Sequence, residues 1–322
     1  MPETSVTFEY CMEGIDDFKK EPQKAVVNAL RARDKLQSAY PDIGINMWPY
    51  ARVKSVLSGG RKAVFDKKQL MEISQRFNRS GTPFILAWNG GIGMQKNLEI
   101  DWDSPHFRHV YKLLAHLQGG HPDNAVTLMR DDVLDQVCEA FPYLKKIASC
   151  MKFMGGKRGE FSIEPGDDEY DRAMRDDRLD YIVPANQHST PEFLHRFRDR
   201  IEKLILFLDL KCSRSNMHEC LLHMAEFEKL HHSRRDAWYF DLDDIVPKED
   251  FVSIPSALSS SPTHGCYGGN LIKREADLQG FLDMRANKFK LHDGILMGAT
   301  TNFFRAEIKK VLDFMSGRSM AA

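Results

Sequence analysis

The 322-residue sequence is long enough for one large domain, such as an α/β barrel, or for two small ones. Hydrophobic residues make up 42% of it and charged residues 28%, a composition that excludes a disordered, collagenous or fibrous chain. The 45 basic and 46 acidic side chains almost cancel, so the overall charge gives no reason to expect nucleic acid as the main partner.

Eight short apolar segments rich in strand-forming residues follow one another along the chain. They cover residues 6–11, 45–50, 84–88, 125–129, 146–150, 180–184, 204–210 and 288–291. Helical periodicity fills most of the intervals, and it predicts helices over 22–36, 68–77, 190–203 and 305–315. The third of these helices has the clearest start, because Thr190 is a good N-cap residue and Pro191 suits the first helical position.

This alternation of strands and helices predicts a parallel sheet with right-handed crossovers. A doubly wound open sheet and a (β/α)₈ TIM barrel both fit the pattern, and eight strands favour the barrel. We therefore predict a single TIM-barrel-like α/β domain over 1–322. The segments 155–168 and 236–270 interrupt the alternation, and the second is predicted to be an insertion over or beside the barrel mouth.

The sequence also bears on the cellular compartment. No apolar run approaches the roughly 18 residues that a bilayer-spanning helix needs, and the first residues lack the basic and apolar regions of a signal peptide. We therefore expect a cytoplasmic protein with no membrane partner. In that compartment the six cysteines are expected to be reduced thiols or metal ligands rather than disulfides.

Polar side chains end or follow several of the predicted strands, where a TIM barrel carries its active site. They are Arg61, Asn89, Asn186, Asp209, Lys290 and His292. Arg61, Asn89 and Asn186 are predicted to bind substrate, with Arg61 or Lys290 neutralising an anionic group. Asp209, His292 and Lys290 are the predicted catalytic residues, and the first two are suited to exchanging protons. The alternative is that some of these residues cap helices or pair with each other to stabilise loops.

Three cysteines, Cys212, Cys220 and Cys266, lie in or beside predicted loops that follow strands, and His223 follows Cys220 by one helical turn. Thiolates and an imidazole in such loops can converge on a soft metal or a cluster. Their spacing fits neither a standard zinc finger nor a ferredoxin, and unrelated reduced cysteines remain the alternative. The other cysteines lie in apolar segments and are predicted to be core residues: Cys11, Cys138 and Cys150.

Four stretches of sequence, read in order, carry a resemblance to a known family. They are 45–50 (INMWPY) with 57–61 (LSGGR), 77–89 (FNRSGTPFILAWN), 180–186 (DYIVPAN) with 204–212 (LILFLDLKC), and 286–294 (ANKFKLHDG). Together they resemble the peptidase U32 family, a collagenase-like group that also contains iron–sulfur proteins of oxygen-independent hydroxylation. The resemblance is one of pattern and spans most of the chain.

The resemblance implies an enzyme that acts at the carboxyl-end mouth of a TIM barrel on a peptide, a nucleotide or an aromatic small molecule. It implies oxygen-independent hydroxylation if Cys212, Cys220 and Cys266, with His223, hold a [4Fe–4S] cluster, and proteolysis if they do not. Family members that act on transfer RNA make RNA a further substrate class. The cationic strip for such a substrate would be Arg52, Lys54, Arg61, Lys62, Lys67 and Lys68. A protein partner or an oligomer is left open.

The sequence departs from the family in two respects. Iron–sulfur members carry a cysteine near the early glycine-rich turn, where this chain reads SGGR at 58–61, and no protease signature is present. Two alternatives follow from these departures. One is a cluster-free, non-catalytic binding protein on the same barrel, and the other is a zinc-dependent hydrolase with Cys and His ligands and a metal-bound water.

Overall fold

The structure is a computed structural model that describes residues 4–12, 21–53, 55, 65–88, 100–154, 167–185, 188–207, 275–291 and 301–317. In this part of the chain each of eight strands is followed by a helix. The strands are β1 Thr4–Cys11, β2 Ile43–Arg52, β3 Ile85–Ala87, β4 Ala125–Leu128, β5 Lys145–Ala148, β6 Tyr181–Ile182, β7 Leu206–Phe207 and β8 Lys288–Leu291. The α-helices are α1 Pro22–Ala39, α2 Lys67–Arg79, α3 Pro105–Gln118, α4 Asp131–Ala140, α5 Asp167–Arg175, α6 Pro191–Leu194, α7 Glu275–Asp283 and α8 Thr301–Met315.

All eight strands belong to one parallel sheet in the order β6-β5-β4-β3-β2-β1-β8-β7. The sheet is strongly curled. Trp48 on β2 and Tyr181 on β6 are four strands apart, a span of about 19 Å in a flat sheet, yet their ring centroids are 5.3 Å apart. The predicted eight-stranded α/β fold is therefore confirmed.

Within the described residues, the two edge strands, β6 and β7, meet without forming a ladder. One parallel bridge joins Ile182 to Leu204, and the Ile205 N–H donates to the Ile182 carbonyl at 2.9 Å. We can start at a residue of β1 and step to its paired residue on each neighbouring strand, through the seven ladders and this bridge. After one full turn the path returns to β1 at a residue eight positions away from the start. Eight strands with a stagger of eight are the geometry of a TIM barrel. The fold is consistent with a TIM-like barrel whose seam is not closed by a ladder.

Both faces of the sheet are buried, which explains why its strands are near-continuous apolar runs. Side chains alternate along β1, so that Phe8 and Tyr10 belong to the large core between the sheet and the helices, whereas Cys11 belongs to a separate core inside the curled sheet. The same alternation along β2 directs Met47 outward, and Trp48 and Tyr50 inward.

Local sequence signals account for the helix ends. Asp66 and Gln69 form a capping box at the start of α2, and the buried residues of that helix recur at the spacing of an amphipathic helix. Thr190 caps α6 as predicted, since its side chain accepts a hydrogen bond from the Phe193 N–H. None of the described helices is long and apolar enough to cross a membrane.

The prediction of one α-helix over 190–203 is wrong in its winding. α6 ends at Leu194, and the chain continues as a 3₁₀-helix over His195–Lys203, with non-helical backbone at Arg200. The tighter 3₁₀ winding places side chains three residues apart on one face, and Leu194 and Phe197 are both buried there. The predicted loop 236–270 lies outside the described residues. Of the predicted loop 155–168, only the last two residues are described, and α5 begins there at Asp167.

Asn124 ties together the amino end of the sheet and two helix ends. It is 1% exposed, its Oδ1 accepts from the Phe84 N–H at 2.7 Å and from Asn78 Nδ2 at 2.9 Å, and its Nδ2 donates to the Leu117 carbonyl at 2.7 Å. The network is tightly packed, because a Cβ added to Gly120 would overlap Asn78 Oδ1.

We predict that Asn124→Ala lowers the free energy of unfolding by about 2–4 kcal/mol, because it leaves several buried polar groups without partners. Urea unfolding followed by circular dichroism measures the change. The neighbouring Asp123→Ala is the control, since its ion pair with Lys145 is partly exposed and should contribute less than about 1 kcal/mol. Equal effects of the two substitutions would contradict the assigned role of Asn124.

Candidate site inside the curled sheet

The stagger of the sheet arranges the inward side chains in layers. A stagger of one residue per strand means that side chains at one level come from alternate strands. The first layer, at the amino end, contains Trp48, Ala125, Tyr181 and Lys288, and the second contains Glu9, Ile85, Ile147 and Ile205. The third layer contains Tyr50, Thr127, Val183 and Lys290, and the fourth, at the carboxyl end, contains Cys11, Ala87, Ser149 and Phe207. Most of these residues form the inner core, and Lys288 and Lys290 contact its rings.

The first layer fills the amino end with aromatic rings and amines. The Nζ atoms of Lys288 and Lys145 lie 5.3 and 5.6 Å from the centroid of the Tyr181 ring, and Lys288 Nζ donates to the Glu202 carbonyl at 2.7 Å. Burial lowers the pKa of Lys288 and raises the pKa of Tyr181. This layer is a packed floor for the interior.

An ion pair lies in the next two layers. Lys290 Nζ contacts Glu9 Oε1, and the side chains of Lys290 and Glu9 are 13% and 1% exposed. The Glu9 and Lys290 backbones are directly paired between β1 and β8, so the strand register sets the contact. The same Nζ lies 4.1 Å from the centroid of the Tyr50 ring, a cation–π contact. Glu9 and Tyr50 together hold the ammonium inside the sheet.

Tyr50 is a neutral component of this cluster. Its burial is the main reason that its pKa is raised well above the usual value, and the hydrogen bond with Cys11 and the nearby Glu9 carboxylate act in the same direction. The phenol therefore stays protonated at neutral pH. Its hydroxyl takes part in hydrogen bonding while its ring faces Lys290, and the cluster is an acid, a base and a neutral phenol within two layers.

Lys290 is the one predicted site residue that the structure describes. It is the penultimate residue of β8 and faces the interior, one layer below the carboxyl-end layer, and Glu9 balances its charge. The remaining predicted site residues lie outside the described part of the chain: Arg61, Asn89, Asn186, Asp209, His292, Cys212, Cys220, His223 and Cys266. Their grouping with Lys290 stays a prediction.

Of the other cysteines, Cys11 occupies the predicted core position, whereas Cys138 and Cys150 lie at the edge of a core. Cys11 is fully buried, and Cys138 and Cys150 are partly buried and pack against the outer core. Within the described residues, no three His, Cys, Asp or Glu side chains are grouped as metal ligands. Of the cationic strip, Arg52 ends β2, and Lys67 and Lys68 begin α2.

Sequence reasoning missed Glu9, although a signal for it exists. Glu9 lies in the middle of the apolar segment VTFEYC, at a position that alternation places on the same face as Thr7 and Cys11. A charge inside a strand that is buried on both faces needs a partner. Lys290, near the carboxyl end of the last strand, is the matching charged residue in an apolar segment.

A second polar cluster fastens the segment that follows β6. The Tyr170 hydroxyl accepts from the Ala185 N–H at 3.0 Å and hydrogen-bonds to His188 Nδ1 at 3.0 Å. The His188 ring stacks on Phe193, with centroids 4.5 Å apart. These contacts hold the chain on both sides of the predicted substrate residue Asn186.

We predict that Lys290→Met lowers the free energy of unfolding by about 3–5 kcal/mol, because it leaves the Glu9 carboxylate buried without a counter-charge. The double variant Glu9→Met, Lys290→Met should recover most of this loss, since it removes both charges and keeps side chains of similar length. Urea unfolding of the two single variants and the double variant measures the coupling. Additive effects in this cycle would contradict the pairing.

No protein-family model matches the chain, and a search of curated proteins found no match either. The resemblance to the peptidase U32 family therefore remains a prediction from the four sequence segments, and the site is defined by its geometry alone.

Proposed function

We propose that the protein is an enzyme of the peptidase U32 type whose active site lies at the carboxyl end of the curled sheet. The observation that carries this proposal is the buried Glu9–Lys290 pair, which lies in the two middle layers below that end. Burying two charges commonly stabilises a fold less than apolar side chains of the same size would. A TIM barrel normally fills these positions with branched aliphatic residues. A charged pair in their place supports a chemical role.

The pair suits a substrate that presents polar groups to the interior. Lys290 keeps ammonium N–H donors for an anionic or carbonyl oxygen, and Glu9 has a second carboxylate oxygen that can accept a proton or a hydrogen bond. A peptide, a nucleotide or an aromatic small molecule with such groups fits this chemistry. Asp209 and His292 are proposed as further proton-transfer residues, and Arg61, Asn89 and Asn186 as substrate ligands.

The reaction class proposed from the family resemblance is oxygen-independent hydroxylation. Cys212, Cys220 and Cys266, with His223, are the residues proposed to hold a [4Fe–4S] cluster, which would supply one-electron chemistry. The Glu9–Lys290 pair would bind and orient the substrate near its reacting atoms and hold or accept a proton there. The proposal has two separable parts, the site and the reaction class, and each has its own test.

The first prediction concerns the site. Saturation-transfer NMR with uridine monophosphate, the tripeptide Gly-Pro-Ala and tyrosine should show binding of at least one of these probes to the wild-type protein. The double variant Glu9→Met, Lys290→Met should bind that probe at least about tenfold more weakly, because both polar contacts are lost. Asp123→Ala serves as the control and should bind as the wild type does. Unchanged binding by the double variant would refute the site.

The second prediction concerns the metal. Protein purified without oxygen should contain iron and acid-labile sulfide in about equal amounts, near four of each per chain. Cys212→Ser and Cys220→Ser should each lose most of both. Cys138→Ser is the matched control and should retain them, because that residue lies on α4 and packs against the outer core.

The other outcomes of the metal measurement select the alternatives. Zinc without iron would indicate a zinc-dependent hydrolase with Cys and His ligands. Protein free of metal in every sample would refute the cluster enzyme and leave a cluster-free protein, either a protease or a binding protein. Iron retained in both cysteine variants would contradict the proposed ligands.

A further inference from the structure

Two buried polar atoms on the inner face of the sheet have no hydrogen-bond partner among the described residues. They are Glu9 Oε2 and Thr127 Oγ1, and the two residues are 1% and 3% exposed, respectively. An unbonded carboxylate oxygen or hydroxyl inside a protein costs free energy, and such atoms are usually bonded to a ligand or an ordered water. Two of them in one interior point to a common occupant.

The layers place the two atoms at adjacent levels. Glu9 belongs to the second layer, on β1, and Thr127 belongs to the third, on β4. Ile85, Ile147 and Ile205 occupy the rest of the Glu9 layer, so within that layer Glu9 has only apolar neighbours. Glu9 Oε2 and Thr127 Oγ1 do not bond to each other.

The side chains above Thr127 are the smallest around the mouth. In the fourth layer, Ala87 and Ser149 flank β4 on its two sides, whereas Phe207 occupies the opposite side. Ala87 and Ser149 therefore place short side chains next to Thr127 on its carboxyl-end side.

The chemistry of the two atoms restricts the occupant. An ionised carboxylate oxygen only accepts hydrogen bonds, whereas a threonine hydroxyl both donates and accepts. The occupant must therefore donate to Glu9 Oε2, and it can accept from Thr127 Oγ1. A neutral group is favoured at these two atoms, because an anion would face the Glu9 carboxylate and a cation would add a second buried positive charge near Lys290.

We propose that Glu9 Oε2 and Thr127 Oγ1 form an inner subsite for one neutral group that carries both a hydrogen-bond donor and an acceptor. A substrate hydroxyl, a substrate primary amide and an ordered water share this chemistry. Filling of the subsite by the substrate rests on the proposed function, whereas its occupancy by water does not. Glu9 is then a substrate-binding residue through Oε2 as well as the partner of Lys290 through Oε1.

The test compares Thr127→Val with the wild-type protein in urea unfolding. Valine keeps the shape of threonine and removes the hydroxyl, so loss of a bonded occupant should reduce the folding equilibrium constant about fivefold or more. Thr82→Val is the reference for the loss of a buried hydroxyl that is hydrogen-bonded. Thr82 is also buried, and its hydroxyl accepts a hydrogen bond from Arg33 Nη1 at 2.8 Å. Thr127→Ser retains the hydroxyl and measures the effect of the lost methyl group alone.

The result that overturns the proposal is a Thr127→Val variant as stable as the wild type or more stable. Such a result would mean that the hydroxyl is unbonded in the folded protein. If Thr127→Val does not fold, a crystal structure of the wild-type protein decides the question. Density within hydrogen-bonding distance of Glu9 Oε2 and Thr127 Oγ1 supports the subsite, and its absence refutes it.

The crystal structure also identifies the occupant. An isolated peak indicates a water, and extended density together with a hydroxyl- or amide-bearing compound released on denaturation indicates a substrate or product. The test is independent of the metal measurement. If the Thr127 hydroxyl is hydrogen-bonded and the protein contains no metal, the subsite is supported and the cluster enzyme is refuted. If the hydroxyl is not hydrogen-bonded and the protein contains the iron cluster, the subsite is refuted and the cluster enzyme is supported.

Discussion

The stagger of the parallel strands is the constraint on which the rest of this structure depends. One residue of displacement per strand accumulates to eight around the sheet, and this displacement curls the sheet until Trp48 and Tyr181 touch across the interior. Curling turns one face of every strand inward and leaves the other for the helices. A side chain's position along its strand then decides both its face and its level.

The interior created in this way is unusual in its polarity. Isoleucines fill three positions of the second layer, and Glu9 fills the fourth, directly beside Lys290. Water is largely excluded there, so the attraction between the two charges is strong, and so is the penalty when either lacks its partner. The floor of the interior differs, because Lys288 bonds to a backbone carbonyl and lies over Tyr181. The charges in the two middle layers are thus paired, and Glu9 keeps one carboxylate oxygen that has no hydrogen bond among the described residues.

Most of the fold could be predicted from sequence because its strands are buried on both faces. A strand such as VTFEYC is apolar at nearly every position, and turn or helix signals such as Thr190–Pro191 separate the segments. The winding of 190–203 could not be predicted in the same way. The buried residues Leu194, Phe197 and Ile201 are spaced by three and then four residues, a pattern that does not distinguish α from 3₁₀ winding.

The sequence by itself determined the eight-strand alternation, the N-cap at Thr190 and the placement of Lys290 at a strand end that faces the interior. These features follow from local preferences and periodicity. Tertiary structure alone decided that Glu9 is the partner of Lys290, that Tyr50 lies against the ammonium, and that Thr127 shares their interior. The physical reason is that β1 and β8 are separated by almost the whole chain, and only the register of their pairing brings residues 281 positions apart into contact.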